Sequence, residues 1–130
     1  MERLLNSEIE ANTLSPSTLA FVGDAVFGLL VREELAKTNR PVGVLHSLSV
    51  SRVNAVAQAK AYKIIEPILT ENEMAIYKRG RNANTNNTPK GASVGQYHSA
   101  TGLETLFGYL YLNAEMIRMR EIFILISNEF

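Results

Sequence analysis

The sequence predicts an all-α domain, and three observations carry that prediction. Apolar residues recur at helical spacing in segments bracketed by residues that start and stop helices. Strand signals are weak throughout, and no Asn-Gly or Asp-Gly pair marks a hairpin. Two segments, 19–31 and 103–112, are apolar or small at nearly every position, as expected of helices buried on all sides at the centre of a bundle. Five to seven helices fit the 130 residues. That length suits one domain with a single core over 1–130, in which 1–14 is an N-terminal extension.

Residues 1–13 are polar and mixed, with room for a short helix. Ser15-Pro16 reads as a helix cap and first helical residue, where the missing proline N–H would be unsatisfied anyway. The first major helix runs from about Pro16 to about Lys37, and Lys37, Asn39 and Pro41 mark its end. Residues 42–69 read as helix in two pieces. Ala55, Ala57, Ala59 and Ala61 favour helix and permit close approach of a neighbour. A break is expected near 47–51, where serines compete for backbone hydrogen bonds. Thr70 and Glu73 fit a capping box that opens a helix reaching Gly80 or Arg81. Residues 82–96 hold one large apolar side chain, Val94, and read as a loop. A loop of that length in a compact domain is usually functional or disordered. Tyr97 to Asn113 is the second strongly apolar helix. Glu115 to Asn128 is the last, with Ile117, Ile122, Leu125 and Ile126 on its apolar side.

Composition narrows the function classes. With no cysteine, disulfides and thiolate zinc sites are excluded. Two histidines, His46 and His98, make a His-rich metal site a poor fit, so a metal would be a hard cation on oxygen ligands. No apolar run reaches the roughly 18 residues of a membrane span, and the N-terminus lacks a signal-peptide pattern. A cytoplasmic protein with no membrane partner is expected, with an organelle stroma left open. The net charge of zero argues mildly against a polyanionic partner, but the distribution says otherwise. Lys37, Arg40, Arg52, Lys60 and Lys63 lie in one acid-free stretch, and Lys78, Arg79, Arg81 and Lys90 in another. A basic face on a neutral protein follows, against the alternative of chance clustering on solvated helix faces.

Each apolar helix carries one acid, Asp24 in the first and Glu104 in the second. A lone carboxylate in such a helix is costly unless hydrogen-bonded, paired or bound to a metal. If the two helices pack together, with Gly23, Gly28, Gly102 and Gly108 allowing close approach, the two acids can face each other. Two close carboxylates repel, and a divalent cation between them removes the conflict. Oxygen-only ligation by few side chains points to Mg²⁺, with Mn²⁺ as substitute. The spacing alone leaves two alternatives open: Asp24 paired with a buried Lys or Arg, and Glu104 on an exposed helix surface. Lys78, Arg79, Arg81, Lys90 and His98 border or occupy the polar stretch beside the Glu104 helix, and cations there suit a phosphodiester substrate. Asn82, Asn84, Asn86 and Asn87 can donate to phosphate or 2′-hydroxyl oxygens; taken singly, each also reads as a turn residue.

Leu19-Ala20-Phe21-Val22-Gly23-Asp24-Ala25-Val26 resembles the signature helix of the ribonuclease III family. Thr101-Gly102-Leu103-Glu104-Thr105-Leu106-Phe107-Gly108 resembles that family's second acidic motif. Arg79-Gly80-Arg81-Asn82-Ala83-Asn84, and Tyr97 followed by Ala100-Thr101-Gly102, resemble motifs of its short mini-ribonuclease III subfamily, which lacks a double-stranded-RNA-binding domain. The likeness covers about residues 15–115. It implies a ribonuclease III endonuclease-domain-like helical bundle that works as a homodimer. It implies Mg²⁺-dependent hydrolysis of double-stranded RNA to 5′-phosphate and 3′-hydroxyl ends. For the subfamily it implies trimming of precursor 23S ribosomal RNA, with a ribosomal protein presenting the substrate left open. Asp24 and Glu104 match the catalytic, metal-binding acids of the two motifs. Lys78, Arg79, Arg81, Asn82, Asn84, Lys90 and His98 are the expected RNA contacts.

Two departures stand out. Full-length members of the family carry further acids where this chain has Ala20 and Thr101, so half of the usual carboxylate set is absent. His98 stands where the subfamily pattern has Arg, and a neutral histidine would hold phosphate more weakly. Phe21 and Phe27 are candidate anchors of a dimer interface, or members of the intramolecular core. Against the nuclease reading stand a catalytically silent double-stranded-RNA-binding module of the same fold and a helical protein–protein adaptor.

Overall fold

The computed structural model describes residues 2–83 and 91–130, so Asn84, Asn86, Asn87 and Lys90 lie outside the described residues. The described residues form α1 (Pro16–Ala36), α2 (Val42–Val53), α3 (Ala55–Ile65), α4 (Glu71–Arg81), α5 (Val94–Leu112) and α6 (Met116–Ser127). Short 3₁₀ turns cover Ala11–Thr13 and Glu66–Ile68. No strand occurs among the described residues, so the all-α expectation holds. No helix among them is long and apolar enough to cross a membrane.

Helix α1 starts as its cap predicts. The Thr18 N–H donates to Ser15 Oγ at 3.2 Å, and Pro16 takes the first helical position. Leu19, Gly23, Phe27, Val31 and Leu35 are buried, a four-residue spacing that lays one face on the core. The helix is not buried on all sides, as its composition suggested. Phe21 is 81 % exposed and Leu29 56 % exposed, because the apolar run covers two faces and this chain's core takes only one. Phe27, by contrast, is a core residue, its ring edge-on to Phe107 at 5.2 Å and to Phe123 at 5.8 Å.

The break between α2 and α3 falls at Asn54, not at the serines of 47–51. Ser51 donates to the Leu48 carbonyl at 2.6 Å within the helix, which satisfies the hydroxyl without ending the helix. Asn54 is the effective cap, its Oδ1 accepting from the Ala57 N–H at 2.8 Å. Helix α4 carries the full capping box: Thr70 Oγ1 accepts from the Glu73 N–H, and Glu73 Oε1 accepts from the Thr70 N–H at 2.9 Å. Glu73 is buried, and Arg118 of α6 donates to both its oxygens at 2.8 Å, tying α6 to α4. Burial pushes the Glu73 carboxyl up, but the Arg118 and Thr70 donors outweigh it and hold it below its ordinary value.

Helix α5 begins at Val94, three residues earlier than Tyr97, so 94–96 is helix rather than loop. A second capping box explains this: Ser93 Oγ accepts from the Gln96 N–H at 3.1 Å, and Gln96 Oε1 accepts from the Ser93 N–H at 2.9 Å. Helices α1, α3 and α4 all pack on α5, which makes it the axis of the molecule. Leu103, Leu106, Phe107 and Leu110 are fully buried as a result, each contributing roughly 2 kcal/mol by transfer from water. Two glycines set the α1–α5 distance. A Cβ on Gly23 would strike the Glu104 carbonyl oxygen, and one on Gly108 would strike the Leu19 carbonyl oxygen. Gly28 and Gly102, also expected to serve this contact, do not. Nothing lies within 4 Å of a Cβ on Gly28, and Gly102 packs on the Tyr77 ring of α4.

Candidate functional site

The Gly23–Gly108 crossing places the two lone acids side by side. Asp24 follows the glycine that touches the Glu104 backbone, and Glu104 lies one helical turn before Gly108. Asp24 is exposed and Glu104 half-buried, and their side chains share a hydrogen bond. Neither alternative left by the spacing survives: Asp24 makes no buried ion pair among the described residues, and Glu104 is not on an exposed surface.

The electrostatics of the pair follow from this geometry. Burial pushes the Glu104 carboxyl up, the hydrogen bond and charge of Asp24 push it further, and Gln58 opposes them; the result is about 8. Near neutral pH Glu104 therefore holds a proton. Glu104 forms part of the wall of a cleft of about 670 Å³ beside α3, together with Asn54, Gln58, Lys60, Tyr97 and Ala100. Lys60 is exposed and belongs to the first basic stretch. Gln58 is 2 % exposed, and its Nε2 has no hydrogen-bond partner of good geometry among the described residues, although its side chain acts on Glu104.

Two carboxylates forced together are a donor set that a hard divalent cation fits. A cation there would offset the burial and the Asp24 charge that keep a proton on Glu104, and Mg²⁺ accepts few protein ligands because it retains several waters. No group of three or more His, Cys, Asp or Glu side chains able to hold a metal occurs among the described residues. The positions that might have added acids are used otherwise. Ala20 is half-buried on α1, and the Thr101 hydroxyl donates to the Tyr97 carbonyl of its own helix at 3.1 Å.

The expected RNA contacts do not gather at the cleft. Lys78 is exposed on α4 and borders a separate hollow with Leu69, Thr70 and Met74. Arg79 donates to the Leu14 carbonyl at 3.3 Å. Arg81 donates to Asn82 Oδ1 at 3.3 Å, and its guanidinium lies 5.9 Å from the centre of the Tyr77 ring. Asn82 is exposed at the end of α4. His98 is half-buried in α5, its ring 6.0 Å from that of Tyr97. Asn84 and Lys90 lie outside the described residues. The residues beside Glu104 that sequence reasoning passed over are Asn54 and Gln58. Their available signals were the Asn cap after Val53 and the one uncharged polar residue in an alanine-rich helix.

Comparison with known proteins finds relatives of this chain. Residues 17–115 match the ribonuclease III domain family. A protein named Mini-ribonuclease 3 from Thermoanaerobacter sp. (strain X514) is 49 % identical over 85 % of this chain and 78 % of its own length. One of the same name from Streptococcus pneumoniae is 38 % identical over 88 % of this chain and 91 % of its own. A crystal structure of a Fusobacterium nucleatum protein superposes with a TM-score of 0.84 at 29 % identity, covering 91 % of this chain and 98 % of that one.

Proposed function

The chain belongs to the ribonuclease III domain family and is an endoribonuclease; on that premise we propose that it hydrolyses double-stranded RNA at the Asp24–Glu104 pair with the help of Mg²⁺. The observation that carries the reading is the pair itself, two hydrogen-bonded carboxyls beside an open cleft at the crossing of two otherwise apolar helices. Asp24 and Glu104 are the residues that would hold the cation. When bound, Mg²⁺ supplies charge to polarise the scissile phosphate and to activate a water.

The chain's own groups do the rest. Asp24 is exposed at the surface of α1, so the pair is open to an incoming phosphodiester. Glu104 would have to lose its proton for both carboxylates to hold a cation, so loading would release a proton. Lys60, on the wall of the cleft, holds backbone phosphate by charge without reading sequence. Lys78, Arg79, Arg81, Asn82 and His98 contact RNA farther from the scissile bond, and Asn84 and Lys90, outside the described residues, are further candidate contacts. Hydrolysis at this centre leaves 5′-phosphate and 3′-hydroxyl ends.

The working unit in this reading is a homodimer in the cytoplasm. Phe21, Ala25 and Leu29 are exposed at four-residue spacing and form an apolar stripe along α1. A two-fold axis through that stripe would give two equivalent centres, one for each strand of a duplex. The subfamily resemblance supports precursor 23S ribosomal RNA as the substrate. The test is a Mg²⁺ titration with a short RNA duplex, scoring both binding and cleavage. Cutting that rises with Mg²⁺ and yields 5′-phosphate ends supports the reading. Duplex binding without cleavage at any Mg²⁺ or Mn²⁺ concentration would make the chain a silent RNA-binding module. Absence of salt-dependent duplex binding would make it an adaptor.

A further inference from the structure

We propose that Gln58 is a positioning residue of the acidic site: its amide donates to the Glu104 carboxylate and fixes the orientation in which Glu104 meets the cation. The inference rests on the metal reading above and adds a residue on a third helix to it. Gln58 lies in the second turn of α3, the helix that packs on α5 and forms part of the cleft wall. The other buried residues of α3 are Ala59, Ala61, Tyr62 and Ile65, so Gln58 is the polar exception on a packed face. It is 2 % exposed, and its Nε2 lacks a hydrogen-bond partner of good geometry among the described residues.

A buried amide donor without an acceptor is destabilising, and an apolar side chain of similar volume would pack there at lower cost. Of the residues lining the same cleft, Glu104 is the one carboxylate. Gln58 and Glu104 face the same cleft, which puts the unsatisfied amide on the same wall as that carboxylate. Groups that hydrogen-bond to a ligating carboxylate set its orientation and tune its affinity for the metal. Such support matters most where ligands are few. Here Ala20 and the self-bonded Thr101 contribute no carboxylate, so the orientation of Glu104 decides much of the site.

The experiment compares the full chain with Q58M, which keeps the length of the side chain and removes the amide. Mn²⁺ binding is followed by electron paramagnetic resonance without RNA, alongside thermal melting in chelator. Q58M is expected to bind Mn²⁺ about 10- to 100-fold more weakly while melting at the same or a higher temperature than the parent. If Q58M does not fold, Q58N takes its place, since it withdraws the amide by one methylene; the same loss of Mn²⁺ affinity is expected. A folded variant that melts lower and binds Mn²⁺ as tightly as the parent makes Gln58 a packing residue and overturns the proposal. A parent chain that binds no Mn²⁺ refutes the metal reading itself, a different and separable failure.

Discussion

Replacing Glu104 with glutamine should stabilise the metal-free protein, and the gain should grow with pH. The Glu104 carboxyl rises from an ordinary 4.5 to about 8 in the folded chain, first through burial and then through Asp24. A raised acid favours the folded state only while protonated. Its penalty is absent below the unfolded value, builds as pH rises through the range between the two values, and levels off above the folded one. Felt in full, the shift corresponds to about 4–5 kcal/mol at ~1.4 kcal/mol per pH unit, and solvent at this half-buried site reduces that to a few kcal/mol. Glu104→Gln keeps the shape, removes the charge and can donate its amide to Asp24. For a chain of this size about 3 kcal/mol corresponds to roughly 10 °C in Tm. Melting both proteins in chelator from pH 4.5 to 8.5 should show curves that meet at the acidic end and separate by about that amount at the basic end. Adding Mg²⁺ at pH 8 should then raise the Tm of the parent and leave the variant nearly unchanged, because a ligand stabilises only the state that binds it. Parallel Tm curves across this range would show that Glu104 is not held against its charge, and the electrostatic basis of the site would fall.

Two further outcomes follow from the helix crossing and the exposed stripe. Gly23→Ala places a methyl against the Glu104 carbonyl, so α1 and α5 must separate; a loss of at least ~3 kcal/mol is expected in urea denaturation. Phe21→Asp puts a charge in the centre of the apolar stripe on α1 and should convert a dimer to a monomer of 14.4 kDa by light scattering. A parent chain that is already monomeric at working concentration would refute the dimer.

What could be read from the sequence divides by range. Capping is local chemistry, so Ser15 and Thr70 mark their helix starts correctly. The Ser93–Gln96 box obeys the same rule and was obscured by the glycines and polar residues around it. The Asp24–Glu104 pairing was legible because a single acid in each apolar helix leaves few arrangements, and small residues show where the helices can touch. The faces of α1 were not legible. With apolar residues on both sides the helical period is lost, and nothing local separates Phe21, exposed, from Phe27, in the core. Gln58 was hidden for a related reason: an alanine-rich helix does not announce which side meets its neighbour. Nearness in sequence also misled. Lys78, Arg79 and Arg81 precede the Glu104 helix in the chain, yet α4 packs on a different side of α5, and the lysine beside Glu104 is Lys60 from α3.

The most direct test of the central claim is single-turnover cleavage of a radiolabelled RNA duplex by Asp24→Asn, with duplex binding measured in the same samples. Asparagine preserves size and polarity but removes the charge that ligation requires. The variant should bind the duplex as the parent does and cut it at least ~10³-fold more slowly at saturating Mg²⁺, since the carboxylate that would hold the cation against the scissile phosphate is lost. Cleavage by Asp24→Asn at the parent rate would contradict the assignment of the Asp24–Glu104 pair as the catalytic centre.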